Sequence, residues 1–367
     1  MSTLKQAIAI AAQANIPILI MSEPGVGKTS YVNWLKDQFG WWLYALIGSI
    51  ASNTDFGWPI PKGDRVVIVP PDWAIELCEH PKSILFLDEL PTCPPAIQAA
   101  MLKIVHEHRV GPLQLPANLS IIAAGNPPEL CPGGWDISPA LANRFLHLEW
   151  QMHDVHKREW MQGVIAGDFS IPVHKLPSGW EKGLPAVRAQ IASFGRARPD
   201  CIHELPEDPT RACGAWPSPR TWYEMAAPAI AACNSLGLLG VDEISVMLLQ
   251  GSIGEGAACE FMSWQENMDL PDPEEVLRAG AKFKFPERQD KIYAICASIA
   301  SAVIAEPTVE RYAAAWDVLG RVAELEMADL AVTAALALAA HRPEGAPLVQ
   351  KGASKLVPLF KEAGLIT

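Results

Sequence analysis

The sequence contains little charge and no long uninterrupted apolar run. Only 19% of its 367 residues are Asp, Glu, Lys or Arg, whereas about a quarter is typical of globular proteins. The longest apolar stretches, near 292–305 and 330–340, fall short of the roughly 20 residues that cross a bilayer, so they predict buried helices. Since 50% of the residues are hydrophobic, we expect a globular protein with a large core and not a disordered chain.

The N-terminal region lacks the pattern of a secretory signal. Its apolar stretch is interrupted by Gln13, Asn15 and Pro17 and leads directly into a motif that signal cleavage would destroy. Eight cysteines are present but none forms a CxxC pair, so no redox motif or paired zinc ligands are indicated. We therefore expect a cytoplasmic protein whose cysteines are reduced, small apolar residues.

Basic residues are also scarce, and no run of Lys or Arg occurs. The chain has 41 acidic and 29 basic residues, which leaves a formal charge of −12. Duplex DNA repels an acidic surface unless a basic patch is segregated from it. The densest basic cluster, around Lys157, Arg158, Arg196 and Arg198, is short. Nucleic acid is therefore disfavoured as a partner, and no membrane contact is expected.

The first 150 residues alternate short apolar runs with helical segments, which is typical of an α/β protein with a parallel sheet. The central runs are apolar throughout, which predicts strands buried on both faces. The predicted strands are 16–22, 42–47, 84–87, 119–124 and 145–148. Helices are predicted over 3–14 and 28–39, and short hairpins near 58–69 and 109–116.

After residue 150 the sequence becomes helical and rich in Ala, Glu and Trp, with proline-containing breaks. This change predicts a domain boundary near 150, and a proline-bounded turn at 268–274 predicts a second, weaker boundary. We therefore expect three parts: an α/β core at 1–150, a helical domain at 151–268 and a further helical block at 269–367.

Residues 22–29 read Ser-Glu-Pro-Gly-Val-Gly-Lys-Thr and stand between an apolar strand and a helix, as a phosphate-binding loop requires. Glycines let the backbone wrap phosphates, so that amides and the helix N-terminus point at negative charge. Lys28 would neutralise the β- and γ-phosphates and Thr29 would ligate Mg²⁺. Ser22 stands where the usual pattern has its first glycine. Because this position ends a strand, a serine can occupy it. The predicted contacts to the nucleotide are Glu23, Pro24, Gly25, Val26, Gly27, Lys28, Thr29 and Ser30.

A second motif, 84–89, consists of four apolar residues followed by two carboxylates. An acidic pair that ends an apolar strand lies at the carboxyl edge of an open α/β sheet, where ligands bind. There Asp88 would hold the Mg²⁺ shell and Glu89 would polarise the attacking water. An apolar strand that ends in carboxylates is common by itself, but downstream of a phosphate loop it specifically indicates a nucleotide site.

Over about residues 1–230, these motifs and several others resemble the MoxR type of AAA+ ATPase, in the branch that carries an insert in helix 2. The resemblance is carried by EPGVGKT (23–29), LFLDELPTCPPAIQAAMLKIVHEHRVG (85–111), IIAAGNPPE (121–129), ALANRF (140–145) and PSPRTW (217–222). It implies an AAA+ nucleotide-binding core with a P-loop parallel sheet at 1–150 and an all-α lid at 151–268. The C-terminal helical extension at 269–367 resembles no characterised module.

The resemblance also implies roles for three further residues. Asn126 corresponds to sensor 1, which orients the water or the γ-phosphate, and Arg144 to the arginine finger that reaches a neighbouring subunit's nucleotide. Arg220 corresponds to sensor 2 of the lid, which in this branch can act across the subunit interface. Ser218 and Pro219 predict the start of its helix. Plainer interpretations stay open: a loop Asn, a surface Arg and an Arg at a helix start.

Two weaker elements belong to the same resemblance. Asn53 and the segment 55–57 lie where the family often has a polar residue that restrains Glu89. The hairpins near 58–69 and 109–116 lie where related rings face the central channel or a partner. Alternatively, the two hairpins cover sheet edges.

The motifs together predict a ring, hexameric by resemblance, that hydrolyses Mg-ATP to ADP and phosphate and remodels or activates a partner protein in a chaperone-like way. A partner with a von Willebrand A domain is implied by resemblance. The alternatives are a nucleic-acid motor of the related helicase branch, which the acidic balance disfavours, and an ATP-dependent assembly scaffold, which the complete catalytic set disfavours. Low charge and 13 tryptophans predict apolar surface that faces neighbouring subunits.

Overall fold

The computed structural model of the protein describes residues 2–130, 134–238, 240, 242–347, 350 and 352–357. Two units divide the chain. One comprises Met1–Ser178 and His203–Cys259, and the other comprises Gly179–Ile202 and Glu260–Thr367. A large apolar core lies in each of them. The three-part division at residues 150 and 268 that the sequence indicates stays a prediction.

The first unit is built on a five-stranded parallel sheet, so the predicted α/β class is confirmed. In chain order the strands are β1 (Ile18–Ser22), β2 (Trp42–Ile47), β3 (Trp58–Lys62), β4 (Arg65–Val69), β5 (Ser83–Asp88), β6 (Arg109–Val110), β7 (Leu113–Gln114), β8 (Ser120–Gly125) and β9 (Leu146–Trp150). The order across the sheet is β2–β5–β8–β1–β9. Central strands β5 and β8 are apolar along their length because both of their faces are covered.

The remaining strands form the two hairpins that the sequence predicts. Strands β3 and β4 pair antiparallel, from Trp58 opposite Val69 to Lys62 opposite Arg65. Strands β6 and β7 form a shorter pair. All of β3 and β4 is exposed except Val67, which is half-buried.

Helices surround the sheet and form the second unit. In chain order they are α1 (Ser2–Gln13), α2 (Lys28–Phe39), α3 (Asp72–Glu79), α4 (Pro95–Glu107), α5 (Pro139–Ala142), α6 (Asp154–Ala166), α7 (Leu184–Ala197), α8 (Pro209–Ala212), α9 (Ala227–Ser235), α10 (Glu243–Ile253), α11 (Glu255–Glu266), α12 (Pro273–Ala279), α13 (Gln289–Ala305), α14 (Val309–Glu324) and α15 (Asp329–Ala340). A π-helical turn, Thr221–Ala226, leads into α9.

Both faces of the sheet are packed. Helix α1 contacts β1 and β8, and α2 contacts β2 and β5. On the other face of the sheet, Leu85, Leu87 and Ile121 pack in a core with Leu77 of α3 and Met101 of α4. Because all five strands are parallel, their carboxyl ends lie together at one edge of the sheet.

The second unit packs α13 against α7, α14 and α15. The apolar stretches at 292–305 and 330–340 form α13 and α15, and their side chains Ile292, Ile299 and Leu338 are fully buried as expected. Within the described residues, no helix has both the length and the apolar character needed to span a membrane.

Replacing Phe86 of β5 by Ala is expected to lower the free energy of unfolding by about 3–5 kcal/mol, because the fully buried ring would leave a cavity in the sheet's core. Urea denaturation followed by circular dichroism measures this. Val66→Ala in the exposed hairpin is the control and should stay within about 0.5 kcal/mol of the wild type. Equal losses in the two variants would contradict this packing.

Candidate nucleotide-binding site

The loop between β1 and α2 owes its backbone shape to two glycines. Gly25 has φ +82° and Gly27 has φ +98°, a left-handed region that L side chains rarely adopt. No side chain caps α2 at Gly27, so the amides of its first turn are open to an anion. The motif therefore has the backbone that a phosphate-binding loop requires.

Lys28 joins this loop to the neighbouring strand. Its Nζ donates to Oδ1 of Asn126 at 2.9 Å and to the carbonyl oxygen of Glu23 at 3.4 Å. It also donates to the hydroxyl of Ser22, which in turn donates to the Glu23 carbonyl oxygen at 2.8 Å. Lys28 is buried, and a buried ammonium needs such partners. Ser22, which stands in place of a glycine, thus positions Lys28.

Thr29 and Asp88 form the candidate magnesium site. The Thr29 hydroxyl donates to Oδ2 of Asp88 at 3.0 Å, which connects the first turn of α2 to the last residue of β5. Hydroxyl and carboxylate oxygens are hard donors, and Mg²⁺ takes its other ligands from water and substrate phosphates. The chemistry of this pair therefore fits a magnesium ion that binds together with a nucleotide.

Glu89 follows β5 in a left-handed conformation, with φ +58° and ψ 38°. Its N–H donates to Oδ1 of Asp88 at 3.0 Å, and its carbonyl oxygen accepts from the Thr92 hydroxyl at 2.7 Å. Gly48 lies close by, since a Cβ there would stand 2.7 Å from that carbonyl oxygen. Such a conformation costs about 1–3 kcal/mol in a non-glycine residue, so these contacts hold Glu89 in place with its side chain exposed.

The polar segment that precedes the first hairpin makes local contacts. The Asp55 carboxylate accepts from the backbone N–H of Ser52 at 2.7 Å and from its hydroxyl at 3.1 Å. The Asp55 carbonyl oxygen accepts from Nε1 of Trp73 at 2.9 Å. These bonds close a turn over Asn53–Phe56. A restraint of Glu89 by this segment stays a prediction.

Arg144 lies at the edge formed by the amino ends of the parallel strands, opposite the edge that carries the phosphate loop. It precedes β9 by two residues, and the register pairs Leu146 with Ile18 and Trp150 with Ser22. With a rise of about 3.3 Å per residue, the strand spans roughly 13 Å. The phosphate loop follows Ser22, so the length of the strand separates Arg144 from the phosphate loop of the same chain.

Arg144 and Arg220 are close enough to influence each other. Burial and the positive charge of Arg220 lower the pKa of Arg144, and Glu224 opposes this shift. Nη1 of Arg144 donates to the carbonyl oxygen of Ala140, whereas its buried Nε has no partner among the described residues. Nε of Arg220 is 3.9 Å from a carboxylate oxygen of Glu224. Two neighbouring guanidinium groups favour the approach of an anion.

A buried hydrogen-bond network ties the two arginine-bearing segments together. The Ser218 hydroxyl donates to Oδ1 of Asn143 at 2.9 Å, and Nδ2 of Asn143 donates to the carbonyl oxygen of Trp216 at 3.4 Å. Ser218 Oγ also accepts from the N–H of Thr221 at 3.2 Å, so Ser218 caps the helix that carries Arg220, as predicted. The network fixes Arg220 beside Arg144.

The structure thus separates the predicted residues into two groups. Lys28, Thr29, Asp88, Glu89 and Asn126 meet at the carboxyl edge of the sheet, and Arg144 and Arg220 lie together at the amino edge. Sequence reasoning missed Ser22 and Asn143 as positioning residues. The signal for Ser22 was a hydroxyl in a glycine position, and the signal for Asn143 was a polar residue directly before Arg144.

Comparison with known proteins agrees with this geometry. Residues 17–145 match the sequence model of a family described as AAA domain (dynein-related subfamily). The match covers about a third of the chain and includes the phosphate loop, the acidic pair and Arg144, so this segment is similar to an AAA domain. It supports nucleotide binding and ATPase activity at the level of the family.

No significant match occurs among curated proteins. A crystal structure of a provisionally assigned ATPase from Cytophaga hutchinsonii is similar to 68% of this chain over 81% of its own, with 18% identity and a TM-score of 0.43. At that TM-score the similarity bears on no residue or activity of this chain.

Asn143→Ala is expected to lower the free energy of unfolding by about 1–3 kcal/mol, because the Ser218 hydroxyl and the Trp216 carbonyl would lose a buried partner. Urea denaturation measures the loss. Ser218→Ala removes the same hydrogen bond by deleting its donor. The free energy of unfolding should therefore fall less in the double variant than the sum of the falls in the two single variants. Additive losses would contradict the coupling of Asn143 with Ser218.

Proposed function

We propose that this protein is a Mg²⁺-dependent ATPase of the MoxR type that works in the cytoplasm as a ring of identical subunits. One observation carries the proposal: the Lys28–Asn126 and Thr29–Asp88 hydrogen bonds meet at one edge of the sheet, beside the phosphate loop. An ammonium, a hydroxyl–carboxylate pair and an amide at such a loop fit phosphoryl transfer from ATP to water.

In the proposed reaction, the amides at the start of α2 and the Lys28 ammonium bind the β- and γ-phosphates. Thr29 and Asp88 would hold Mg²⁺, which stabilises negative charge on the phosphates. Glu89 accepts a proton from the attacking water. Asn126 orients that water or the γ-phosphate, and the products are ADP and inorganic phosphate.

The proposed ring follows from the position of the arginines. Because the length of β9 separates Arg144 from its own phosphate loop, this side chain would serve the site of a neighbouring copy. Arg220, which lies beside Arg144, would act on the same neighbour. An arginine supplied in this way accelerates phosphoryl transfer by about 10³–10⁵. A closed ring, which we propose to be hexameric, gives every site an arginine pair from the next subunit.

The β3–β4 hairpin supports a protein as the partner. Trp58 and Val66 are 57% and 67% exposed. Lys62 and Arg65 face each other at its tip, with Asp64 between them in the sequence. Apolar surface of this kind fits a protein better than a phosphate backbone. We propose that ATP turnover remodels or activates a partner protein in a chaperone-like way, and a von Willebrand A domain protein is the first candidate.

Glu89→Gln is expected to bind ATP and to hydrolyse it at least about 100-fold more slowly, because the proton acceptor for water is lost. Lys28→Ala should lose binding itself. Phosphate release and titration with a fluorescent ATP analogue measure the two properties. Glu107→Gln, an exposed carboxylate at the end of α4, is the control and should match the wild type. A wild type that is inactive with every candidate partner would overturn the proposal.

Mixing two inactive variants tests whether Arg144 serves its neighbour. Arg144→Ala subunits keep Glu89, and Glu89→Gln subunits keep Arg144, so a mixed ring contains sites with both groups. An equimolar mixture should recover about a quarter of the wild-type rate per site if the subunits assort at random. The absence of any recovery in rings shown to be mixed would assign Arg144 to its own protomer.

A further inference from the structure

Helix α6 carries most of its apolar side chains on a side that faces solvent. Gly163 is buried and the polar residues His156 and Glu159 are half-buried, so the polar side is turned towards the protein. Four apolar side chains at helical spacing are exposed: Trp160, Met161, Val164 and Ile165. Ile165 is 87% exposed and the other three about half. These four residues are termed the α6 stripe.

A helix of this kind presents an interaction surface. Surface helices normally turn their apolar side inwards, and monomeric proteins rarely expose contiguous apolar patches. The spacing of the α6 stripe is the one by which a helix packs into a groove of another surface. Lys157 and Arg158 are exposed beside it, and Asp154 pairs with Lys157 at 3.2 Å, so the net charge of this rim is positive.

Helix α6, which carries the stripe, begins near the phosphate loop. Strand β9 ends at Trp150, which pairs in register with Ser22, and α6 begins four residues later. The Trp150 ring also packs edge-on against Tyr31, with ring centroids 5.7 Å apart. Tyr31 lies three residues after Lys28, within one turn of α2. Helix α6 therefore starts from the same edge of the sheet as the candidate nucleotide site.

A surface of complementary character lies beside the two arginines. Leu205 is 56% exposed, and the residues around it include the exposed carboxylates Glu204 and Glu207. The N–H of Glu204 donates to the carbonyl oxygen of Pro217 at 3.1 Å, next to the residue that caps the Arg220 helix. Residues 204–208, termed the acidic segment, thus combine one exposed apolar side chain with negative charge.

We propose that the α6 stripe of one subunit binds the acidic segment of a second copy of this chain, an inference that rests on the proposed ring ATPase. In that ring, Arg144 and Arg220 of a neighbour approach the phosphate loop, and the neighbour's acidic segment comes with them to the region of α6. The α6 stripe then contacts the neighbour's Leu205. Lys157 and Arg158 beside the stripe lie close to the carboxylates of the neighbour's acidic segment. The two faces differ, so the contact is heterologous and repeats around a closed ring.

Single substitutions on the two faces test this contact. Val164→Glu places charge within the α6 stripe, and Leu205→Glu places it within the acidic segment. Val155→Glu is the matched control, since Val155 is exposed on the same helix, nine residues or two and a half turns away, and so lies on the opposite side. Light scattering after size exclusion gives the mass of the full-length proteins, with and without Mg-ATP, and circular dichroism verifies folding.

We expect an oligomeric wild type, a Val155→Glu variant of the same mass, and at least a tenfold weaker self-association of Val164→Glu and of Leu205→Glu. An equimolar mixture of the two weakened variants should form dimers, because each contributes the face that the other has lost. Three results would overturn the proposal: a wild type that is monomeric under both conditions, Val164→Glu assembling like Val155→Glu, or a mixture that stays monomeric.

The same samples separate this inference from the proposed function. Monomeric Val164→Glu keeps its own phosphate loop, so it should still bind a fluorescent ATP analogue, but more weakly than the Val155→Glu variant, whose sites also receive a neighbour's two arginines. If the mixture forms dimers but neither the wild type nor the control hydrolyses ATP, the interface stands and the ATPase proposal fails. If the wild type hydrolyses ATP but Val164→Glu assembles normally, the interface is wrong and the ATPase proposal stands.

Discussion

The hydrogen bond from Lys28 to Asn126 joins the carboxyl ends of two neighbouring parallel strands, and the candidate site depends on it. Strands β1 and β8 pair from Ile18 to Met21, so the residues that follow them are held side by side. A buried ammonium is costly unless polar groups surround it, and Ser22, Glu23 and Asn126 provide them. Once Lys28 is fixed, the start of α2 is fixed as well, and Thr29 reaches Asp88 on the next strand but one.

The two edges of the sheet have different electrostatic requirements. At the carboxyl edge, Lys28 already has oxygen partners within the protomer. At the amino edge, Arg144 lies beside another guanidinium, and its buried Nε has no partner among the described residues. An unpaired buried donor costs about 1–3 kcal/mol. The positive charges of Arg144 and Arg220 also repel each other, and an anion from outside would relieve that repulsion; in the proposed ring this anion would be a neighbour's phosphates.

The sequence was sufficient for the parts of the fold that depend on local pattern. All five strands of the sheet are short runs rich in apolar residues, and the central strands β5 and β8 are buried on both faces, so the strands could be located. Parallel topology then placed Lys28 and Asp88 at one edge. The Asn143–Ser218 bond could not be predicted, since its partners are 75 residues apart and nothing periodic connects them. The role of Ser22 was missed because the phosphate-loop pattern describes backbone shape and not the partners of its lysine.

Helix α6 shows a different limit of sequence reasoning. Its apolar spacing predicts a helix, but which side faces the core depends on the neighbouring elements, and here the polar side does. The proposed contact of the α6 stripe has to form between two chains of net charge −12. Two such chains repel each other at long range. Physiological salt screens charges beyond about 8 Å, so the local pattern decides at contact. A positive rim on one face and carboxylates on the other attract at that range, and subunits that are acidic overall can then associate in a single orientation.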